Sequence, residues 1–139
     1  MSALERVAGQ PTWLLGRANA RAHALLTDAF RAHGLRGHHF RLLAALDQYG
    51  ASSQADLGRS TGIDRSDVVA RLDDLVAAGL ASRDPDPRDR RRNLVTLTPR
   101  GVAMLGTLQS VLDQVQDDVL SPLTPAERKT FVRLLGKLT

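Results

Sequence analysis

Residues 62–101 read GIDRSDVVARLDDLVAAGLASRDPDPRDRRRNLVTLTPRG, and the fold turns on this stretch. Asp64 is a good helix N-cap, and Val68, Leu72, Leu75 and Val76 recur at helical spacing until Ala78-Gly79 stops the run. The segment DPDPRDRRRN that follows holds two prolines and no hydrophobic residue, so it reads as an exposed loop. Leu80-Ala81-Ser82 before it and the β-branched run Leu94-Val95-Thr96-Leu97 after it read as two strands, giving a hairpin with a charged tip. Just upstream, Ser53-Gln54-Ala55-Asp56 sets a hydroxyl cap and an acidic residue at capping-box spacing before Leu57, which predicts a short helix ending at Thr61-Gly62. Two short helices across a glycine-containing turn form a helix-turn-helix, here followed directly by a wing.

Working outward, the apolar residues Leu14, Leu15, Ala18, Ala22, Leu25, Leu26, Ala29 and Phe30 predict an amphipathic helix from Pro11 to His33. Gly37 then precedes a second helix, His38 onward through Phe40, Leu43, Ala44 and Leu46, which ends at Gly50. On the other side, Thr98-Pro99 gives a cap followed by proline at the first helical position, opening a long helix through Val102, Leu105, Leu108, Val111, Leu112, Val115 and Val119. Thr124-Pro125-Ala126-Glu127 is a full capping box before a last helix with Phe131, Leu134, Leu135 and Leu138. The expected fold is mainly α with a small β-hairpin wing, built as one domain over 1–139. Residues 35–100 are expected to form the winged helix-turn-helix and 11–33 with 103–138 to be mainly dimerisation helices, since the apolar faces of the terminal helices, 11–33 and 124–138, exceed what one small domain can cover.

A chain of 139 residues supports one core, and no run approaches the roughly 20 apolar residues of a membrane span. With no signal-peptide pattern in MSALERVAGQ, the protein is expected to be cytoplasmic, with no membrane partner. The absence of cysteine excludes disulfides, thiolate nucleophiles and thiol-based sensing. Net charge is +4, and Lys129 and Lys137 are the only lysines, so the basic character is arginine, whose planar fork suits phosphate and groove contacts. A GC-rich genome explains a high arginine count equally well, which leaves the placement of the arginines to carry the argument.

That placement favours DNA. On the helix after Asp64, Ser66 and Ala70 are expected to face away from the core, with Asp67 beside them and Arg65 and Arg71 on the flanks. Arginine there reaches guanine or phosphate, serine either kind of partner, and aspartate a cytosine amino group. Arg88, Arg90, Arg91 and Arg92 crowd the hairpin tip, only partly offset by Asp84, Asp86 and Asp89, and such a cluster is favourable where an anion will sit, as in a minor groove. A solvated helix face and a solubilising loop explain each element singly; their direct succession is better explained by double-stranded DNA as the partner.

The same residues resemble the multiple-antibiotic-resistance-regulator (MarR) family. The carriers are the run from Gly62 to Gly101, above all Asp86-Pro87-Arg88-Asp89-Arg90-Arg91-Arg92 followed by Val95-x-Leu97-Thr98-x-x-Gly101, together with SSQADLGRSTGIDRS. The resemblance covers roughly residues 35–105. It implies a twofold dimer with intertwined first and last helices, recognition helices in successive major grooves and wings in adjacent minor grooves. It adds Ser53 and Gln54 of the supporting helix to the DNA-binding set, makes Arg91 the wing-tip arginine and makes Asp89 its acidic brace. It also implies a repressor of a pseudo-palindromic operator, released by a small aromatic or phenolic effector in a cleft lined by Trp13, His38 and His39. Asp67 and Ala70 depart from the family, where a neutral polar residue and an arginine are common, so the operator sequence does not carry over.

No metal or other cofactor is expected. His38 and His39 project about 100° apart on a helix and lack an acidic partner at ligand spacing, and His23 and His33 lie elsewhere. Asp73-Asp74 and Asp117-Asp118 are neighbours that do not converge on one substrate, so an enzyme is not expected. An architectural DNA-binding protein without effector is the main alternative to a regulator.

Overall fold

The computed structural model describes residues 4–139 and contains seven helices and one hairpin: α1 (Glu5–Ala8), α2 (Pro11–Arg31), α3 (Gly37–Tyr49), α4 (Gln54–Thr61), α5 (Arg65–Ala77), β1 (Ala81–Asp86), β2 (Asp89–Leu97), α6 (Pro99–Val119) and α7 (Pro125–Gly136). It is mainly α with a two-stranded antiparallel wing, as the sequence predicts. The differences are local. A single turn, α1, precedes the first expected helix, and α2 stops two residues early because the His33 and Gly34 amides bond three residues back, to Phe30 and Arg31. The strands run much further than Leu80–Ser82 and Leu94–Leu97: most of the segment expected to be loop is paired strand, and only Pro87 and Arg88 form the turn.

Residues 30–110 form one compact unit, and the residues through Ala29 with those from Val111 form another. In the first, Phe30, Leu42, Leu43, Leu57, Val68, Leu72, Leu75, Val95 and Leu108 are essentially inaccessible. Each contributes about 1.5–3 kcal/mol through burial. Phe30 and Phe40 stack at 5.6 Å. Ser52 and Val95 exchange both backbone hydrogen bonds, at 2.8 and 3.0 Å, so the residue before the α4 cap is tied to the wing. At the wing root, Thr98 Oγ1 donates to the Gly79 carbonyl at 2.6 Å and accepts from the Gly101 amide at 3.1 Å. Gly101 lies so close to the Leu80 carbonyl that a β-carbon would stand 1.9 Å from its oxygen, which explains glycine at this place in the sequence motif.

In the other unit, Arg21 of α2 donates to the Asp118 and Val119 carbonyls at 3.0 and 2.7 Å, placing a cation on the C-terminal end of α6. Thr124 and Glu127 make the capping box expected at α7: the Glu127 amide donates to Thr124 Oγ1, and the Thr124 amide to Glu127 Oε1. These bonds hold the Glu127 carboxyl below its ordinary pKa, the backbone bond from Thr124 contributing most. Trp13, Leu14, Leu15, Val132, Leu134 and Leu138 are exposed in the single chain.

Candidate nucleic-acid interface

The helix expected to face DNA is α5, which buries Val68, Leu72 and Leu75 and turns its other side to solvent. Arg65 and Ser66 are exposed, as expected, whereas Asp67 and Ala70 are half-buried. Asp64 occupies the cap position but makes no cap hydrogen bond; its Oδ2 accepts instead from Ser66 Oγ at 2.9 Å. With its proton committed to Asp64, the Ser66 hydroxyl is left as an acceptor towards solvent.

Arg71 differs most from the expectation. Its side chain is only 21% exposed and lies against Asp74, with Nε 2.9 Å from Oδ2, so in this conformation it does not project from the outer face. Asp74 is engaged from the other side by His39 of α3, whose Nε2–H donates to the same carboxylate at 2.9 Å. The other ring nitrogen, Nδ1, accepts from the Arg36 amide at 2.8 Å, closing the first turn of α3. This fixes the tautomer: Nδ1 is bare and Nε2 carries the proton. Burial lowers the His39 pKa, against the upward pull of Asp74, while the His39 bond and then the Arg71 charge lower that of Asp74. At neutral pH the contact is therefore a hydrogen bond from neutral imidazole to carboxylate. His39, expected in an effector cleft, is 4% exposed with both nitrogens committed, and it fastens α3 to α5.

Ser53 is likewise buried, and its hydroxyl accepts from the Asp56 amide at 3.1 Å, so it caps α4 and does not project outward. The hydroxyl of Ser53 and the Arg59 guanidinium together hold the Asp56 carboxyl below its usual pKa. Arg92 of the wing lies 3.9 Å from the same carboxylate. The result is a cleft of about 720 Å³ between the supporting helix and the wing, bordered by Gln54, Arg59, Arg65, Arg91, Arg92 and Asn93. Four arginines from three elements meet there. One of them, Arg59, carries no mark in the sequence: it is an isolated basic residue in the last turn of a short helix.

The wing owes its shape to a register shift. Pro85 pairs with Asn93 and the next residue, Asp86, pairs with Asp89, so Arg90, Arg91 and Arg92 all fall in a bulge on β2 with no partner residues on β1. Bulges re-aim side chains, and here three cations are turned out of the ladder. Asp86 Oδ1 accepts from the Arg88 amide at 2.9 Å, and Asp89 Oδ1 accepts both the Arg91 amide and the Arg91 Nε–H at 3.1 Å. Asp89 thus braces the wing tip, while the Arg91 side chain stays 92% exposed. Arg88, Arg90 and Arg92 are exposed too.

Trp13 is 39% exposed on α2, with the Arg17 guanidinium 6.0 Å from its ring. His38 is half-buried on α3. Among the described residues no group of three His, Asp or Glu side chains could hold a metal ion, and no helix is long and apolar enough to cross a membrane.

Residues 33–92 match the model of the MarR family. The helix-turn-helix transcriptional repressor NicR of Pseudomonas putida is 32% identical over 125 residues, 90% of this chain and 79% of NicR. Among solved structures, BpsR of Bordetella bronchiseptica, whose DNA binding is regulated by 6-hydroxynicotinic acid, superposes with a TM-score of 0.81 at 34% identity, covering 98% of this chain and 97% of BpsR. A probable transcriptional regulator from Pseudomonas aeruginosa gives 0.84 at 32% identity, over 96% of this chain and all of that one. With its winged helix-turn-helix and these relatives, the chain belongs to the MarR family of transcription regulators.

Proposed function

We propose that the protein is a repressor that binds a pseudo-palindromic operator as a homodimer and releases it when a small aromatic effector binds. The observation that carries this reading is the arginine-lined cleft between α4, α5 and the wing: Arg59, Arg65, Arg91 and Arg92 are gathered on one concave face. Such a surface is costly in self-repulsion and becomes favourable when phosphates enter it. Dimerisation is supported by the exposed apolar side chains of the terminal helices, Trp13, Leu14 and Leu15 on α2 and Val132 and Leu134 on α7. An aromatic acid as effector is supported by the BpsR relative alone. A regulator, not an enzyme, is the reading its relatives favour.

Gel-shift titration against the DNA upstream of the protein's own gene, with excess non-specific competitor, tests the central claim. A shift that survives competitor is expected, and one abolished at low competitor would favour an architectural role. Sedimentation at micromolar concentration should give twice 15.1 kDa; a clean 15.1 kDa species would remove the dimer.

A further inference from the structure

Among the described residues, α5 carries one exposed large apolar side chain, Val69, 37% accessible. It lies one turn after Ser66 and next to Ala70, about 100° round the helix from the buried Val68. The charged residues of the following turn are already engaged: Arg83 of β1 donates to Asp73 Oδ1 at 2.8 Å, and Arg71 and His39 both hold Asp74. Beyond Arg65 in the first turn, α5 therefore offers no free arginine fork for guanine. It offers a branched hydrocarbon, a half-buried methyl at Ala70 and, at Ser66, a hydroxyl oxygen left to accept.

We infer that Val69 is a specificity-determining residue that reads the C5-methyl of a thymine in the major groove. This rests on the DNA-binding reading above. Thymine is the only base with an apolar group on its major-groove edge. The adenine paired with a thymine presents an amino donor on the same edge, which suits the Ser66 acceptor, whereas a guanine offers only acceptors. Excluding water between two hydrocarbon surfaces requires no further hydrogen-bond partner, so a valine can discriminate where a lone polar group would need exact geometry.

The test uses the full chain and the tightest duplex it selects from a randomised pool. Each thymine is replaced in turn by deoxyuridine, which deletes only the methyl. Binding should weaken about fourfold at one thymine of each half-site, the effect of one methyl-sized group, and about 15-fold when both symmetric positions are changed. The substitution Val69→Ser on this exposed position should leave the fold intact and abolish the difference between thymine and uracil. Deoxyuridine tolerated at every position, or a penalty undiminished in Val69→Ser, overturns the inference while leaving DNA binding standing. Failure to enrich any specific duplex overturns the DNA-binding reading and this inference with it.

Discussion

Replacing His39 by alanine, and separately by glutamine, distinguishes what its ring holds together from what its proton does. The residue is 4% exposed, and its imidazole makes two hydrogen bonds, from the Arg36 amide at 2.8 Å and to Asp74 at 2.9 Å. Alanine removes both and leaves a hole, costing about 2–4 kcal/mol at roughly 1 kcal/mol per bond plus the unfilled volume. At about 2–4 °C per kcal/mol for a domain of this size, Tm should fall by about 5–15 °C. Glutamine has an acceptor oxygen and a donor nitrogen at nearly the spacing of the two ring nitrogens, and it is a natural capping-box residue at this position, so it should cost no more than about 1 kcal/mol. The pH dependence separates the two roles. Burial lowers the folded pKa of His39 below 6.5, so the unfolded chain takes up this proton first as pH drops. The stability tied to neutral His39 is complete above pH 6.5 and is lost as pH falls from there towards the folded pKa, by at most about 1.4 kcal/mol per pH unit. His39→Gln has no such proton. Urea midpoints of the two proteins should be close above pH 6.5 and diverge below it, the glutamine variant losing less. Parallel profiles down to the carboxylate range would refute a buried neutral imidazole.

Gly101→Ala should destabilise by about 1–3 kcal/mol or more, because the new methyl meets the Leu80 carbonyl and α6 must move off the wing root; calorimetry reads it, and an unchanged Tm would contradict the close approach. Arg91→Ala should weaken operator binding and reduce the slope of log affinity against log salt by about 0.9 for each phosphate no longer neutralised, two in a dimer. Unchanged operator affinity at physiological salt would show the wing to be a solvated loop. Asp89→Ala should weaken specific binding although it removes a negative charge, while Asp89→Asn, which keeps an oxygen for the Arg91 amide, should retain most of it in the same anisotropy titration.

The helices from α2 to α7 are legible in the sequence because each announces itself locally, whereas the single turn α1 does not. Ser53, Thr98 and Thr124 all serve as the caps their sequence context predicts, and Val68, Leu72 and Leu75 are buried as their spacing requires. The hairpin is legible only at its root. A two-stranded ribbon exposed on both faces has no alternation to read, and the prolines and charges of DPDPRDRRRN look like loop even where the backbone is paired. The side-chain roles at the site are less legible still. Arg71 sits on the flank of α5 in any helical projection, but its inward course depends on Asp74, and Asp74 is held by a histidine 35 positions away in the chain. That pairing is tertiary, and no spacing within α3 or α5 announces it. A helical projection centred on Val68, Leu72, Leu75 and Val76 also passes over Val69, because it points Ser66 and Ala70 outward and leaves the valine at the border of the stripe.

Three arginines of the winged unit mark two extremes, and the contrast explains why one wing is held in its backbone yet free in its charges. Arg71 and Arg83 are about four-fifths and three-quarters covered, each against an aspartate of α5, and the Nε of each is inaccessible. Pulling either out to reach a phosphate would expose apolar stem and strand an acid, so they serve as fasteners of α5. Arg91 is the opposite case. Its side chain is 92% exposed, and an exposed pair such as Arg91–Asp89 is worth about 0–1 kcal/mol, so its guanidinium can leave Asp89 for a phosphate or a groove at little cost. The backbone does not leave with it, because the Arg91 amide stays bonded to Asp89 Oδ1. Asp89 thus has two separable actions, a weak hold on a charge that DNA can take over and a hold on the bulge that aims that charge. Removing the carboxylate relieves the first and destroys the second, and since the aim of three successive arginines depends on the bulge, the loss outweighs the gain at a specific site.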